Sequence, residues 1–259
     1  MASNTTLRVV EHHFTVYRST WRGSLVSSFL APVLYLAAMG IGLGSLIHAP
    51  ARTSHLGGLS YLAFVGPGLL AASAMQIASS ESTFPVMAGI KWLRTWHGML
   101  ATPIRVRDLV NGEFVWIMFR VALAAVAYLI VLTLFGIATG PMALLAVPAA
   151  VLCGMAFSTP IAAFAATQET DQGFVLIFRL GVMPLFLFSG TFFPVSQLPR
   201  VLQPVARVTP LWHGVELTRA FVLDRVDWVG VVVHVAYLLA WVLVGWAIAR
   251  RTFERRLAQ

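Results

Sequence analysis

Met142 to Ala166 reads MALLAVPAAVLCGMAFSTPIAAFAA, and no Asp, Glu, Lys, Arg or His interrupts it. A helix rising 1.5 Å per residue crosses the roughly 30 Å hydrocarbon core of a bilayer with about 20 apolar residues. This run is long enough to do so. Five further runs extend the pattern on both sides: Ser24–Ile47, Ser60–Ser80, Phe114–Gly136, Phe174–Phe193 and Trp228–Ala249. Four of the six lack Asp, Glu, Lys and Arg altogether, which a soluble core would not require and lipid does. The fold class expected is all-α, a polytopic membrane protein with six transmembrane helices in one unit over residues 1–259.

Composition agrees. The chain is 58% hydrophobic and 11% charged, with a mean hydropathy of +0.81, whereas soluble domains carry roughly 25% charged residues. The net charge of +8 does not point to nucleic acid, because the basic residues sit beside the apolar runs and no stretch could fold into a soluble basic face. The single cysteine, Cys153, lies inside an apolar run and is expected to pack there. The run from Ser24 is too long for a cleavable signal, whose apolar core spans about 7–15 residues, and is expected to stay as the first span.

Arginine position sets the orientation. Arg8, Arg18 and Arg22 precede the first run; Lys91, Arg94, Arg105 and Arg107 follow the second; Arg250, Arg251, Arg255 and Arg256 follow the sixth. These three segments share one side of a six-span arrangement, and the first and third connections opposite hold only Arg52. Positive-inside bias places both termini in the cytoplasm and the protein in the cytoplasmic membrane as a multi-pass chain. The fifth connection conflicts, with Arg200, Arg207, Arg219 and Arg225 on the outer side. It is moderately apolar and broken by Pro194, Pro199, Pro204 and Pro210, which suits short helices dipping into the outer leaflet.

Two segments read as amphipathic. Leu7, Val10, Phe14, Tyr17 and Trp21 would line one stripe of a helix over residues 5–22, lying in the cytoplasmic interface or packed on the protein itself. In the second connection, over about residues 90–102, Trp92, Leu93, Trp96, Met99 and Leu100 fall at helical spacing. Lys91, Arg94 and His97 lie on other faces, and Thr102-Pro103 closes the segment. Such a helix fits a partner's groove or lipid headgroups. A phosphate-binding loop needs Gly-x-x-x-x-Gly-Lys-Ser/Thr, and the sole lysine, Lys91, stands between Ile90 and Trp92. Any ATP-driven work must therefore come from another chain.

A series of motifs runs in order along the chain. Tyr61-Leu-Ala-Phe-Val-Gly-Pro-Gly-Leu-Leu-Ala-Ala leads to Glu81. Arg94-Thr-Trp-His-Gly-Met-Leu-Ala-Thr-Pro-Ile and Arg107-Asp-Leu-Val-Asn-Gly-Glu follow. Pro184-Leu-Phe-Leu-Phe-Ser-Gly-Thr-Phe-Phe-Pro-Val-Ser-Gln-Leu-Pro and Thr209-Pro-Leu-Trp-His-Gly-Val-Glu-Leu-Thr-Arg complete it. In these the chain resembles type-2 ABC exporter permeases, especially the lipo-oligosaccharide and nodulation-factor export branch and its drug-export relatives. His97 stands where that family often carries an acidic residue. The resemblance implies an interfacial N-terminal helix, a cytoplasmic coupling helix between spans two and three, and re-entrant extracellular helices after span five. It further implies a second permease copy or sibling and two ATPase subunits. ATP and Mg would sit on those subunits, with no cofactor in this chain.

Charges inside spans cost about 2.5–3.5 kcal/mol at mid-helix on insertion scales. Arg120 and Arg179 lie early in spans three and five, so each either snorkels and pairs, with Glu81 at the end of span two in reach, or meets an anionic headgroup. Phe186 and Phe188 would line an apolar substrate path or face lipid. Gly66-Pro67-Gly68 and Pro184 would kink their spans as hinges or as static fits to neighbours. His234 reads as a packing histidine, and His213 and Glu216, at helical spacing, as supports of the re-entrant element. No His-Glu-x-x-His or Gly-x-Ser-x-Gly sequence occurs, so no metal or catalytic residue is expected. The reading is a non-enzymatic permease moving a lipid-like, glycolipid or amphiphilic drug substrate outward. Its rivals are an ion- or proton-coupled secondary transporter, short of membrane-embedded acids, and a non-transport membrane assembly protein.

Overall fold

The computed structural model describes residues 3–38 and 59–257. Among them every regular element is helical, in the order α1 (Ser3–Ala37), α2 (Tyr61–Glu81), α3 (Phe84–Met87), α4 (Thr95–Leu100), α5 (Val106–Leu134), α6 (Ala146–Ala165), α7 (Gln172–Leu176), α8 (Met183–Phe188), α9 (Leu202–Val208), α10 (Pro210–Val222) and α11 (Trp228–Leu257). A π turn, Ala88–Trp92, continues α3, and another, Ile177–Val182, joins α7 to α8. The apolar runs become helices because lipid leaves backbone groups no partner outside the segment.

The ends of these helices are written locally. Ser60 caps α2 by accepting from the Ala63 amide at 3.2 Å, and Thr209 caps α10 ahead of Pro210. At the end of α5, Gly136 takes φ 72°, the Ile137 amide reaches back to Leu132 O at 3.0 Å, and the Gly136 amide to Thr133 O at 2.9 Å. This is a Schellman stop, which favours glycine. The end of α10 repeats it with Asp224 at φ 53° in the glycine position.

Four helices among the described residues are long and apolar enough to cross a membrane: Tyr61–Trp92, Val106–Leu134, Pro141–Ala165 and Trp228–Leu257. They carry the expected spans 60–80, 114–136, 142–166 and 228–249. The chain is thus a multi-pass membrane protein, but the expected six spans are not all of this kind. The first span, 24–47, lies partly outside the described residues. Its described part is continuous with the N-terminal helix, so α1 runs unbroken where a separate interfacial helix 5–22 was expected. Gly23 alone does not break the helix, since one glycine costs only about 1 kcal/mol relative to alanine. The fifth run, 174–193, ends at Phe188 and changes helical type twice, leaving a shorter apolar helix.

Helices α2, α5, α6 and α10 pack with the inner face of α11 around one apolar core containing Leu70, Met75, Ile117, Leu132, Leu211 and Leu238. Close approach is set by small residues. A Cβ at Gly154 would lie 3.1 Å from Ala74 O, and one at Gly112 only 2.6 Å from Val9 Cβ, where α1 lies on α5. The connections sort to two ends. At one end Lys91, Glu169 and Arg256 meet, as do Arg107 and Glu254. At the far end Arg219 reaches Gly190 and Phe64, and His213 meets His234. The first of these is the basic end.

Candidate coupling surface and intramembrane polar cluster

The segment expected as one amphipathic helix over residues 90–102 is broken in two. The π turn ends at Trp92, Arg94 adopts the left-handed conformation at φ 51°, and α4 begins at Thr95. The periodicity that placed Trp92, Leu93, Trp96, Met99 and Leu100 on one face assumed α geometry throughout. A π turn plus a left-handed residue rotates the two halves apart. Trp92 and Leu93 are consequently 52% and 71% exposed, while Trp96 is 3% exposed.

Trp96 is held by the protein itself. Its ring lies 5.2 Å from that of Phe253 in the last turns of α11. A Cβ added to Gly89 would fall 2.4 Å from the Trp96 Nε1, so the indole rests directly on that backbone. Met99 and Leu100 are half-buried against the same core. Trp92, Leu93, Arg94, His97, Thr102 and Pro103 are exposed at the basic end. Trp96 thus anchors the segment, and the surface it presents is the Trp92–Arg94 bulge with His97.

Beside this bulge Glu169, in the connection between α6 and α7, accepts from Lys91 Nζ at 3.1 Å and pairs with Arg256. The hydrogen bond from Arg256, then that from Lys91, holds the Glu169 carboxyl down to about 2. The sequence held no local sign of this three-chain-segment contact, since its members are far apart along the chain.

Deeper at the same end, the pairing expected for Glu81 is found. Arg120 Nη2 lies 3.1 Å from Glu81 Oε1, with the two side chains 21% and 19% exposed. The guanidinium also lies over the Tyr17 ring at 5.1 Å. Glu113, buried, meets His13 Nε2 at 3.0 Å, and His13 stacks on Trp116 with centroids 5.2 Å apart. Between α1, α3 and α5 these groups line a cavity of about 710 Å³. The Glu113–His13 pair escaped sequence reading because the stripe assigned to the N-terminal helix omitted His13.

Arg179 is exposed on the π turn and is not brought to Glu81. Phe186 packs edge-on against Phe192 at 5.1 Å, while Phe188 is exposed near Phe193. Pro184 occupies the first turn of α8, directly after the π turn that accommodates it. Gly66, Pro67 and Gly68 are buried in tight contacts: a Cβ would lie 2.8 Å from Leu132 Cδ2 at Gly66 and 3.1 Å from Thr191 O at Gly68. The Pro67 carbonyl accepts from Thr218 Oγ1 at 2.8 Å, which sets α10 alongside α2 rather than across its end.

Of the four arginines in the fifth connection that conflicted with the charge rule, Arg219 has a structural reason. Arg219 donates to Gly190 O at 2.9 Å, to Phe64 O at 3.4 Å and to Glu216 Oε1 at 3.0 Å, and lies over the Phe64 ring at 4.0 Å. It knits the fifth connection to α2. Glu216 serves Arg219, not His213, whose Nδ1 lies 2.7 Å from His234 Nδ1 and whose ring stacks on Tyr237 at 3.9 Å. His234 is therefore a partnered histidine in the packing of α10 on α11. No group of three or more metal-ligating side chains occurs among the described residues.

The chain is a multi-helix membrane unit, and it belongs to the ABC-2 type transporter family, matched over residues 8–223. It is similar to nodulation protein J of Rhizobium leguminosarum bv. trifolii, at 31% identity over 97% of this chain and 93% of that protein. Nodulation protein J of Sinorhizobium fredii is 30% identical over the same shares, and that of Bradyrhizobium diazoefficiens 31% over 96% and 92%.

Proposed function

We propose that the chain is the membrane-spanning subunit of an ATP-driven exporter that carries a lipid-like, glycolipid or amphiphilic drug substrate outward. It works with two copies of a separate ATPase, which hold ATP and Mg, and with a second permease copy or a sibling permease. The basic end lies in the cytoplasm with both termini, in the cytoplasmic membrane. The helices α9 and α10 form the re-entrant element of the outer face.

One observation carries this reading: the chain matches a transporter family along most of its length, yet its only lysine stands in Ile90-Lys91-Trp92 and makes no phosphate-binding loop. The energy source must be a companion. The exposed Trp92–Arg94 bulge, braced from beneath by Trp96, is the surface on which such a companion would push. The scarcity of ionisable groups in the spans supports an apolar or amphiphilic substrate, and the relatives' name, nodulation protein J, agrees with the nodulation-factor export branch that the motifs resemble.

Purification of the chain from its own membranes tests the reading. A co-purifying nucleotide-binding subunit with vanadate-sensitive hydrolysis is expected. Transport that survives ATP depletion but collapses with the proton gradient would instead establish a secondary transporter.

A further inference from the structure

We propose that the cavity between the end of α11 and the α6–α7 connection binds the phosphate of an anionic phospholipid in the cytoplasmic leaflet. The inference goes beyond the exporter reading and draws on it only for the choice of leaflet. The cavity holds about 430 Å³ and is lined on α11 by Ile248, Arg251, Thr252, Arg255 and Arg256, and on the connection by Thr167. The carboxylates nearby are already engaged. Glu169 is held by Arg256 and Lys91, and Glu254 by Arg107 and Arg250. Arg251 and Arg255 are exposed and have no ion pair or side-chain hydrogen bond among the described residues.

Donor chemistry narrows the ligand. Thr252 Oγ1 donates to Ile248 O at 2.8 Å and Thr167 Oγ1 to Phe164 O at 2.6 Å, so neither hydroxyl has a proton left for an anion. The guanidiniums are the donors that remain. Arg251 and Arg255 stand four residues apart on one helix face, where like charges repel. A phosphate placed between them removes that repulsion and accepts paired N–H bonds from each planar fork.

The same stripe continues toward the membrane centre as apolar surface. Trp241, Val244 and Ile248 precede Arg251 at three- and four-residue steps, and all three are exposed. Helix α11 starts at Trp228, next to the charged far-end residue Asp227, and runs on without a break. At 1.5 Å per residue Ile248 lies roughly 30 Å from Trp228, and Arg251 and Arg255 roughly 35 and 40 Å. The hydrocarbon core is about 30 Å thick, and the bilayer with its headgroups about 40–45 Å. The apolar part of the stripe therefore ends where acyl chains end, and the two arginines stand in the headgroup layer. A soluble phosphate or an acidic protein side chain has no use for Trp241, Val244 and Ile248. A phospholipid covers all five positions.

Native mass spectrometry of the full chain, purified in a neutral detergent and titrated with dioleoylphosphatidylglycerol, tests the site. The wild type should bind this lipid at least about 10-fold more tightly than dioleoylphosphatidylcholine, whose choline cancels the phosphate charge. Arg251→Gln/Arg255→Gln should weaken phosphatidylglycerol binding at least about 10-fold and erase the preference. Arg8→Gln/Arg18→Gln, which removes two cations from α1 instead, should keep both. Inorganic phosphate or glycerophosphoglycerol, the headgroup without chains, should not compete even in large excess. If the double variant is not monodisperse, Arg255→Gln alone decides by the same criterion. An undiminished preference in the α11 variant overturns the site, and an equal loss in the α1 variant reduces it to diffuse charge attraction. Competition by the chainless headgroup overturns the lipid assignment in favour of a soluble phosphate. A permease–ATPase complex that no longer shows the preference overturns it in favour of an acidic protein surface. None of these results bears on the exporter reading, which stands or falls on the co-purifying nucleotide-binding subunit.

Discussion

Gly89→Ala isolates the contact that fixes the shape of the basic end. The new Cβ would lie 2.4 Å from Trp96 Nε1 and 2.7 Å from its Cδ1 and Cε2. Heavy atoms pack best at about 3.5–4.0 Å, so the indole must withdraw by roughly 1 Å. It cannot do so freely, because the indole is buried and the Phe253 ring packs against it at 5.2 Å between centroids. Overpacking of this kind costs about 1–3 kcal/mol, offset by up to about 1 kcal/mol because alanine favours a helical backbone over glycine. A net loss of about 1–2 kcal/mol is expected. In a Trp96→Ala background, itself destabilised by about 3–5 kcal/mol, Gly89→Ala should become neutral or stabilising by up to about 1 kcal/mol. The four proteins form a double-mutant cycle, read by denaturant unfolding in detergent micelles with far-ultraviolet circular dichroism. The same penalty in both backgrounds would refute the packing argument and assign the cost to the backbone of the π turn.

Three further outcomes are expected. Glu81→Gln should cost about 1–3 kcal/mol by leaving the Arg120 charge short of its carboxylate, and adding Arg120→Gln should recover part of the loss in the same unfolding assay. The Glu169 tie to Arg256 and Lys91 should be complete above the ordinary carboxyl value of 4.5 and vanish as pH falls through about 2, because the folded carboxyl is held down. Wild type and Glu169→Gln should differ at neutral pH and converge in acid, and a difference unchanged at pH about 2 would exclude the ion pair as its source. Asp224→Gly should raise stability by about 0.5–1 kcal/mol, the left-handed strain relieved being partly offset by glycine's greater chain entropy; a loss would show that the Asp224 carboxylate beside Gly140 matters more.

The membrane class and four of the spans were legible because apolar runs without charge have one stable outcome in lipid. The Glu81–Arg120 pair was also within reach, since two opposite charges at the same depth in neighbouring spans have few other partners. The break at Arg94 was not. Arginine carries no preference for left-handed backbone, so nothing in Trp92–Trp96 announced that helical periodicity fails there. The burial of Trp96 depended on Gly89 and on Phe253 in the last helix, a pairing that local spacing does not encode. Pro184 signalled irregularity in the fifth run but not the π turn before it, whose widened register follows from packing as well as from the missing amide. His213 sits one turn from Glu216 on α10, yet it is a neighbouring helix that supplies its partner.

Helix α11 touches both faces of the molecule. Near its start His234 meets His213 of α10, and near its end Phe253 meets Trp96, with no proline and no loop between. A displacement of the Trp92–Trp96 segment at the basic end thus has a continuous helix to travel along. It would reach the far end as a tilt of that rod, needing no chain of rearranging side chains in between.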